Sequence, residues 1–175
     1  ANYRYYKKIF WDVVWRNNIS YGFIASNDAS RDAPFNELFL LGGVNTLRGY
    51  PFFTIGRRKF SQKARDQAAG LGTLTPQEIA DAAMRPFGGT QQFYYNLEFQ
   101  FPLIEEAGIK GVVFYDIGNS DNSLVIEELR SNFGFGFRWF SPIGPLRFEW
   151  GFPIARKKEF DEPSMNFNFA IGTPF

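Results

Sequence analysis

The sequence predicts an all-β fold that forms part of an antiparallel transmembrane β-barrel, and three observations support this prediction. Apolar and polar residues alternate with a period of two along most of the chain. One face of each predicted strand is rich in aromatic residues, whereas the other carries glycine, amide and charged side chains. The connections between strands are alternately short and long, as they are in outer-membrane barrels.

The composition is compatible with a barrel and excludes several other classes of protein. Phe, Trp and Tyr make up 19% of the 175 residues, and Phe alone occurs 22 times. The absence of His and Cys excludes disulfides, thiolate or imidazole metal sites, and catalytic triads or dyads that need histidine. A net charge of +1 offers no basic face for nucleic acid. We therefore expect a protein that is not an enzyme and that has no metal, cofactor or nucleic-acid site.

Period-two alternation predicts about seven strands. We expect them over residues 3–16, 19–26, 92–103, 109–118, 132–139, 146–154 and 167–175, with the first tight turn at residues 16–18. The strand at 132–139 is typical, because Phe or Trp occupies every odd position and Asn, Gly or Arg occupies every even one. A soluble β-sandwich also alternates, but its apolar face is rarely so aromatic. The pattern therefore favours an outward aromatic band and a polar lumen.

The predicted connections separate into two length classes. The short ones lie at residues 16–18, 104–108 and 141–145, and the long ones at about 27–91, 119–130 and 155–165. In outer-membrane barrels the short turns are periplasmic and the long loops extracellular. We therefore expect the C-terminus on the periplasmic side and the loop at about 27–91 on the extracellular side.

The longest loop contains one helix signal. Thr75 is a suitable N-cap, Pro76 suits the first helical position, and Glu78 lies three residues after the cap. We expect one short extracellular helix from there to about Arg85, before Pro86.

Seven strands are too few to close a membrane barrel, because the smallest known barrels have eight. An open sheet edge in lipid leaves unpaired backbone groups, which cost several kcal/mol each. The sequence therefore predicts that further barrel strands, or a second chain, complete the sheet.

Four blocks of sequence, taken in order, resemble one protein family. They are GGVNTLRGY at 42–50, FYDIGN at 114–119, GFRWFSPIGPLRF at 136–148 and FNFAIG at 167–172. Together they are similar to the C-terminal half of a BamA-type outer-membrane barrel, in a superfamily that includes TamA and the FhaC-type two-partner secretion transporters. The resemblance covers nearly the whole chain and implies strands ten to sixteen of a sixteen-stranded barrel. Residues 1–175 would then be a partial barrel domain, with POTRA domains and the first strands upstream of Ala1.

Arg48, Gly49 and Tyr50 form a candidate loop-tip motif. Glycines around Arg48 permit a tight tip, and a buried guanidinium requires an acceptor. Glu98 and Asp116 are carboxylates on the polar faces of two predicted strands. From the residues alone, Arg48 could instead be a solvated loop residue, with Glu98 and Asp116 lining a water-filled lumen. The resemblance implies instead that the tip folds back into the lumen, where Arg48 contacts Asp116 and Glu98.

The last predicted strand is a candidate assembly signal and seam. Phe167, Phe169 and Ile171 alternate with smaller or polar residues up to the terminal Phe175. This pattern resembles the β-signal of outer-membrane barrels, which is recognised by strand addition. In the family the last strand borders a lateral seam with the first strand, and Gly172 matches a glycine that permits an inward kink. An ordinary closing strand is the alternative.

The resemblance implies an assembly factor that folds and inserts other β-barrel proteins into the outer membrane of a Gram-negative bacterium. Its expected partners are outer-membrane lipids, client β-barrel proteins, accessory lipoproteins and the strands that close the sheet. One alternative is a two-partner secretion transporter that exports a dedicated exoprotein. Tyr50 keeps this alternative open, because BamA proteins commonly have Phe there and secretion transporters include Tyr. A passive structural or pore barrel is a further alternative.

Overall fold

Seven antiparallel strands form one sheet, and their order in the sheet follows their order in the chain. The structure, a computed structural model, describes residues 1–25, 33–58, 86–142, 144–154, 156–157 and 162–172. The strands are β1 (Asn2–Lys8), β2 (Val14–Phe23), β3 (Gln91–Ile104), β4 (Ile109–Asp121), β5 (Arg130–Ser141), β6 (Gly144–Pro153) and β7 (Asn166–Ile171). Short 3-10 turns lie at Phe35–Glu37 and Ile126–Glu128. The predicted all-β antiparallel architecture is confirmed.

Two sequence predictions lie outside the described residues. The helix expected from Thr75 to about Arg85 is one, and the position of the terminal Phe175 is the other. No helix in the part of the chain that the structure describes has the length and hydropathy needed to cross a bilayer.

The first turn lies earlier in the chain than the sequence predicted. We expected it at residues 16–18, but β1 ends at Lys8 and β2 begins at Val14. The chain reverses where Trp11 and Asp12 adopt left-handed backbone angles, with φ of 47° and 59°, and Asp12 forms an ion pair with Lys8. This placement lets β2 pair with β3 along all of its ten residues, which a turn at 16–18 would prevent.

The two faces of the sheet differ in chemistry, as the alternation predicted. We call the face on which residues 33–58 pack the inner face and the opposite one the outer face. The outer face carries half-exposed aromatic side chains whose rings stack between neighbouring strands, as in the pairs Phe133–Phe152 and Phe137–Phe148. The inner face carries most of the buried polar and charged side chains, including the residues of the site below.

The long connection between β2 and β3 returns to cover the inner face. Its described part contains a small apolar core of its own, formed by Leu41, Leu47, Tyr50 and Ile55 with Tyr94 of β3 packed against it. Leu41 and Ile55 form an antiparallel bridge within this connection. The segment is therefore a folded plug, and its internal packing positions the tip against the sheet.

Candidate functional site

The candidate site is the tip of this plug, residues 42–50, together with the inner face beneath it. Gly42 and Gly43 begin the tip with φ of +115° and +89°, a region that residues with a side chain rarely adopt. The backbone amide of Gly43 donates to the carbonyl of Tyr50 at 2.8 Å, and the amide of Gly42 donates to the Thr46 hydroxyl at 2.9 Å. These bonds close the tip into a compact turn from which Arg48 projects towards the sheet.

Arg48 forms a two-point ion pair with Asp116 of β4. Its Nε lies 3.0 Å from Oδ2 and its Nη2 lies 2.7 Å from Oδ1 of the carboxylate. The backbone amide of Arg48 also donates to Oδ2, at 3.1 Å. Both side chains are almost completely buried, at 1% and 0% exposure. Such paired geometry compensates for the cost of taking two charges out of water.

Two further carboxylates surround the same guanidinium. Nη1 of Arg48 donates to Oε2 of Glu98 on β3 at 2.8 Å and lies 3.6 Å from Oε2 of Glu149 on β6. Burial disfavours the charge of Arg48, but the carboxylates of Asp116 and Glu149 more than offset this, so the pKa of the guanidinium is raised. The tip arginine therefore stays charged and bridges three strands.

Three arginines of the sheet complete the network. Arg16 of β2 donates to Glu98 at 3.2 Å. Arg138 of β5 donates to Glu98 at 2.6 Å and to Glu149 at 2.9 Å, and Arg147 of β6 donates to Glu149 at 2.8 Å. Arg147 also reaches the carbonyl of Val44 in the tip, at 3.3 Å. Within the described residues no group of metal-ligating side chains is arranged to hold an ion. The carboxylates are instead neutralised by arginines, which makes the site a buried ionic clamp.

Side-chain amides orient the central carboxylate. Asn96 of β3 donates to Asp116 at 2.8 Å and to the carbonyl of Thr46 at 2.6 Å. Asn132 of β5 donates to the other carboxylate oxygen of Asp116 at 3.0 Å. With the two bonds from the Arg48 side chain, these amides hold Asp116 in one orientation and satisfy both of its carboxylate oxygens.

An aromatic ring forms the floor beneath the guanidinium. Phe114 of β4 points to the inner face, and its ring centroid lies 3.5 Å from the guanidinium carbon of Arg48. The register places Phe114 opposite Gly134 of β5, and a side chain at Gly134 would overlap the Phe114 ring. The missing side chain on β5 therefore makes room for a cation–π contact under the ion pair.

Two asparagines of β7 bind the backbone of the tip. Asn168 donates to the carbonyl of Arg48 at 2.8 Å, and Asn166 donates to the carbonyls of Arg48 and Tyr50 at 3.0 and 3.1 Å. The tip is consequently held from both sides, by its charged side chain and by its main chain.

Gly49 and Tyr50, the other two residues of the tip motif, are also buried against the sheet. A side chain at Gly49 would lie 2.5 Å from the Cβ of Asn132, so only glycine fits. The Tyr50 hydroxyl donates to the carbonyl of Ser131 at 3.2 Å. Burial, together with the nearby carboxylate of Glu162, raises the pKa of Tyr50 to about 12. Tyr50 therefore remains a neutral hydrogen-bond donor at physiological pH.

The candidate seam residues lie on and just after β7. Phe167, Phe169 and Ile171 project from the outer face and are about half exposed. Gly172 follows the strand with φ of +72°, and its amide donates to the carbonyl of Pro145 at 2.8 Å. Gly172 therefore adopts a backbone conformation that residues with a side chain rarely adopt, and the inward kink that the resemblance implies stays a prediction.

The structure brings Arg48 together with Asp116 and Glu98, the partners that the resemblance implied. It adds residues that sequence reasoning missed: Phe114, Arg138, Arg147, Glu149, Asn96, Asn132, Asn166 and Asn168. Their inner-face positions follow from the alternation, but nothing in the sequence indicates which of them touch the tip. The paired glycines of β5 are a usable signal, because they leave space for a large side chain on the neighbouring strand.

A model of the Omp85 superfamily domain matches residues 1–175, the whole chain. The chain belongs to the Omp85 superfamily. The resemblance drawn from the four sequence blocks, to the superfamily that includes BamA-type barrels, is thus confirmed.

Two curated relatives carry the name outer membrane protein assembly factor BamA. The protein from Nitratidesulfovibrio vulgaris is 30% identical over 148 residues, and the one from Neisseria meningitidis serogroup B is 25% identical over 158 residues. These alignments cover 82% and 83% of this chain but 16% and 20% of the relatives. This Omp85 chain therefore spans about a fifth or less of the length of these relatives.

A solved structure shows the same fold. The crystal structure of BamA from Haemophilus ducreyi lacking POTRA domains 1–3 matches 89% of this chain with a TM-score of 0.60 and 18% identity. The match covers 34% of that chain. The seven-stranded Omp85 sheet is accordingly part of a BamA-type β-barrel, left open at β1 and β7 in the described residues.

Proposed function

We propose that this Omp85 chain is part of an outer-membrane assembly factor that folds and inserts other β-barrel proteins. The observation that carries the proposal is the buried clamp of Arg48 on Asp116, Glu98 and Glu149, which holds a loop against the wall of an open barrel sheet. The names of the BamA relatives support the same function. A channel that only had to remain open would gain nothing from a plug clamped at this depth.

The proposed mechanism is physical and involves no covalent chemistry. The clamp braces the barrel wall while β7, with six residues, supplies a short edge that separates easily. A client strand then adds to the exposed edge through backbone hydrogen bonds. The aromatic outer face contacts outer-membrane lipids, and distortion of the bilayer beside the short strand lowers the barrier to insertion.

The proposal includes the surroundings of the chain. The short turns face the periplasm, which places the C-terminus there and the plug on the extracellular side of the wall. Accessory lipoproteins act on the periplasmic side, and further strands of the same barrel pair with β1 and β7. The membrane is the outer membrane of a Gram-negative bacterium.

A two-partner secretion transporter is the second candidate, and Tyr50 favours it. The hydroxyl of Tyr50 has a hydrogen-bond acceptor in Ser131, so the tyrosine is accommodated by this site. In that case the inner face would line an export path for one exoprotein.

Depletion of the full-length protein distinguishes these functions. Outer-membrane barrels and secreted proteins are quantified together by mass spectrometry, with plasmid-borne wild type, Arg48→Ala and Arg156→Ala as complementing variants. We expect many unrelated barrels to fall together and to be restored by wild type and by Arg156→Ala, which alters an exposed residue. Steady barrels with one exoprotein retained in the cell would instead identify a secretion transporter. Unchanged barrels and secretion would leave a passive pore.

A further inference from the structure

The backbone ladder that joins β7 to the rest of the sheet is short. Its ladder with β6 runs over six residues, from Leu146 opposite Ile171 to Gly151 opposite Asn166. Among the described residues β7 is also the last strand of the sheet, so its second edge has no neighbour there. Edge strands with few backbone bonds open at low free-energy cost, so contacts on the inner face of β7 matter for its position.

The main contacts of that inner face are with the plug tip. Asn166 and Asn168 both donate to the carbonyl of Arg48, at 3.0 and 2.8 Å, and Asn166 also reaches the carbonyl of Tyr50. Two donors fill both lone pairs of the Arg48 carbonyl oxygen. Asn168 is 4% exposed, so water cannot readily replace the tip as its acceptor.

The tip lies directly on the backbone of β6 beside these asparagines. A Cβ atom at Gly151 would lie 2.6 Å from both the carbonyl carbon of Arg48 and the amide nitrogen of Gly49. Those neighbours are backbone atoms, which cannot rotate away. Gly151 is therefore required for the main chain of the tip to come within reach of β7.

Arg48 consequently binds two parts of the barrel wall with opposite ends of one residue. Its guanidinium is held by carboxylates of β3, β4 and β6, and its carbonyl is held by amides of β7. We propose that Asn166 and Asn168 form a latch that ties β7 to the docked plug. While the tip is docked, β7 is held by its ladder and by the latch. When the tip leaves, β7 loses the latch and keeps its ladder with β6 and the ring contacts Phe148–Phe169 and Trp150–Phe167.

Through the latch, docking of the plug tip determines how firmly β7 is held at the seam. The consequence for client insertion rests on the proposed function, because it requires β7 to border the seam that clients enter. The latch itself is a property of the folded protein. An opposing interpretation is that the asparagines only satisfy the carbonyls of the tip and that β7 takes all its stability from β6.

Hydrogen exchange of the purified full-length protein in detergent micelles tests the latch. The test variant is Asn166→Leu with Asn168→Leu, which keeps side-chain size and removes both donors. The matched control is Asn2→Leu on β1, the opposite edge strand, which removes a side-chain hydrogen bond to Asn18 of β2, away from the tip. Backbone amides of β7 should exchange about tenfold faster in the test variant and at the wild-type rate in the control.

A second variant tests the latch by a change on β6 that displaces the tip instead of removing the asparagines. Gly151→Ala leaves both asparagines intact and displaces the tip main chain, so it should raise exchange in β7 as the double variant does. Combining all three substitutions should add little, because both routes remove the same contact. If the double variant does not fold, Gly151→Ala and Asn168→Leu alone give the answer.

Two results would overturn the latch: wild-type exchange in β7 of the folded variants, or an equal rise in every strand. Exchange is measured without clients, so the result is independent of the assembly function. A β7 response in a protein whose depletion leaves all outer-membrane barrels unchanged would retain the latch and remove the proposed function. Full assembly activity with wild-type exchange in β7 of the variants would retain the proposed function and remove the latch.

Discussion

Arg48 and Asp116 form a two-point ion pair between a loop tip and a barrel strand, and both side chains are almost fully excluded from solvent. Because both side chains are buried, solvent cannot readily serve as a substitute partner for either group. Removing either one therefore leaves a buried charge without its main compensation, which is far more costly than losing a surface pair.

The first prediction concerns Arg48 itself. Arg48→Ala should lower the free energy of unfolding of the full-length protein in micelles by about 3–5 kcal/mol, because three carboxylates lose a common cation. Arg48→Lys should recover only part of this loss, since an ammonium cannot make the two parallel bonds to Asp116. Denaturant titration measures both variants. Arg156→Ala is the control for an exposed arginine, and equal stability of Arg48→Ala and this control would contradict the prediction.

The second prediction is energetic coupling across the pair. In a double-mutant cycle, Arg48→Met with Asp116→Asn should be less destabilised than the sum of the single variants, by about 1–3 kcal/mol. The reason is that the double variant removes both charges and leaves neither one stranded. Unfolding free energies of the four proteins give the coupling directly, and strict additivity would show that the contact contributes nothing.

The third prediction concerns the ring under the guanidinium. Phe114→Leu keeps an apolar side chain but removes the aromatic face, so it should cost about 1–2 kcal/mol of unfolding free energy. Phe23→Leu, on the exposed outer face of β2, is the matched control and should be nearly neutral. The same denaturant titration compares them. A larger loss in the control would mean that lipid-facing packing, and not the cation–π contact, dominates.

The fourth prediction separates the two roles of Tyr50. Tyr50→Phe removes only a 3.2 Å bond to the Ser131 carbonyl and should cost no more than about 1 kcal/mol. Tyr50→Ala removes a fully buried ring from the plug core beside Leu47 and should cost about 3–5 kcal/mol. Protease sensitivity of the plug, measured with the unfolding free energy, should follow the same order. Equal sensitivity of the two variants would place the contribution in the hydroxyl instead of the ring.

The alternation predicted the inner and outer faces of β2 to β7 because every second side chain of a strand shares an environment. The same alternation did not reveal the position of the first turn. Phe10 and Trp11 continue the aromatic pattern through the turn, so local periodicity cannot show that the chain reverses there. The position of the turn is set by pairing of β2 with β3, which is a contact between distant parts of the sequence.

The candidate site shows a similar division. Arg48, Asp116 and Glu98 were predicted as partners because short motifs carry the resemblance to the family. Glu149 and Phe114 were not, since their contacts depend on strand register and on the space above Gly134. Phe114 also departs from the predicted polar inner face, and its ring lies against the guanidinium of Arg48.

The contacts of Arg48 span long stretches of the chain. It reaches Glu98, 50 residues away, Asp116, 68 residues away, and Asn168, 120 residues away. Closing loops of such length is slow, so these contacts form after the local hairpins. The binding place of the tip does not exist until β3, β4, β5, β6 and β7 lie side by side. Arg48 therefore docks late in the folding of this protein, and it can dock only when the strands of the sheet are in the correct order.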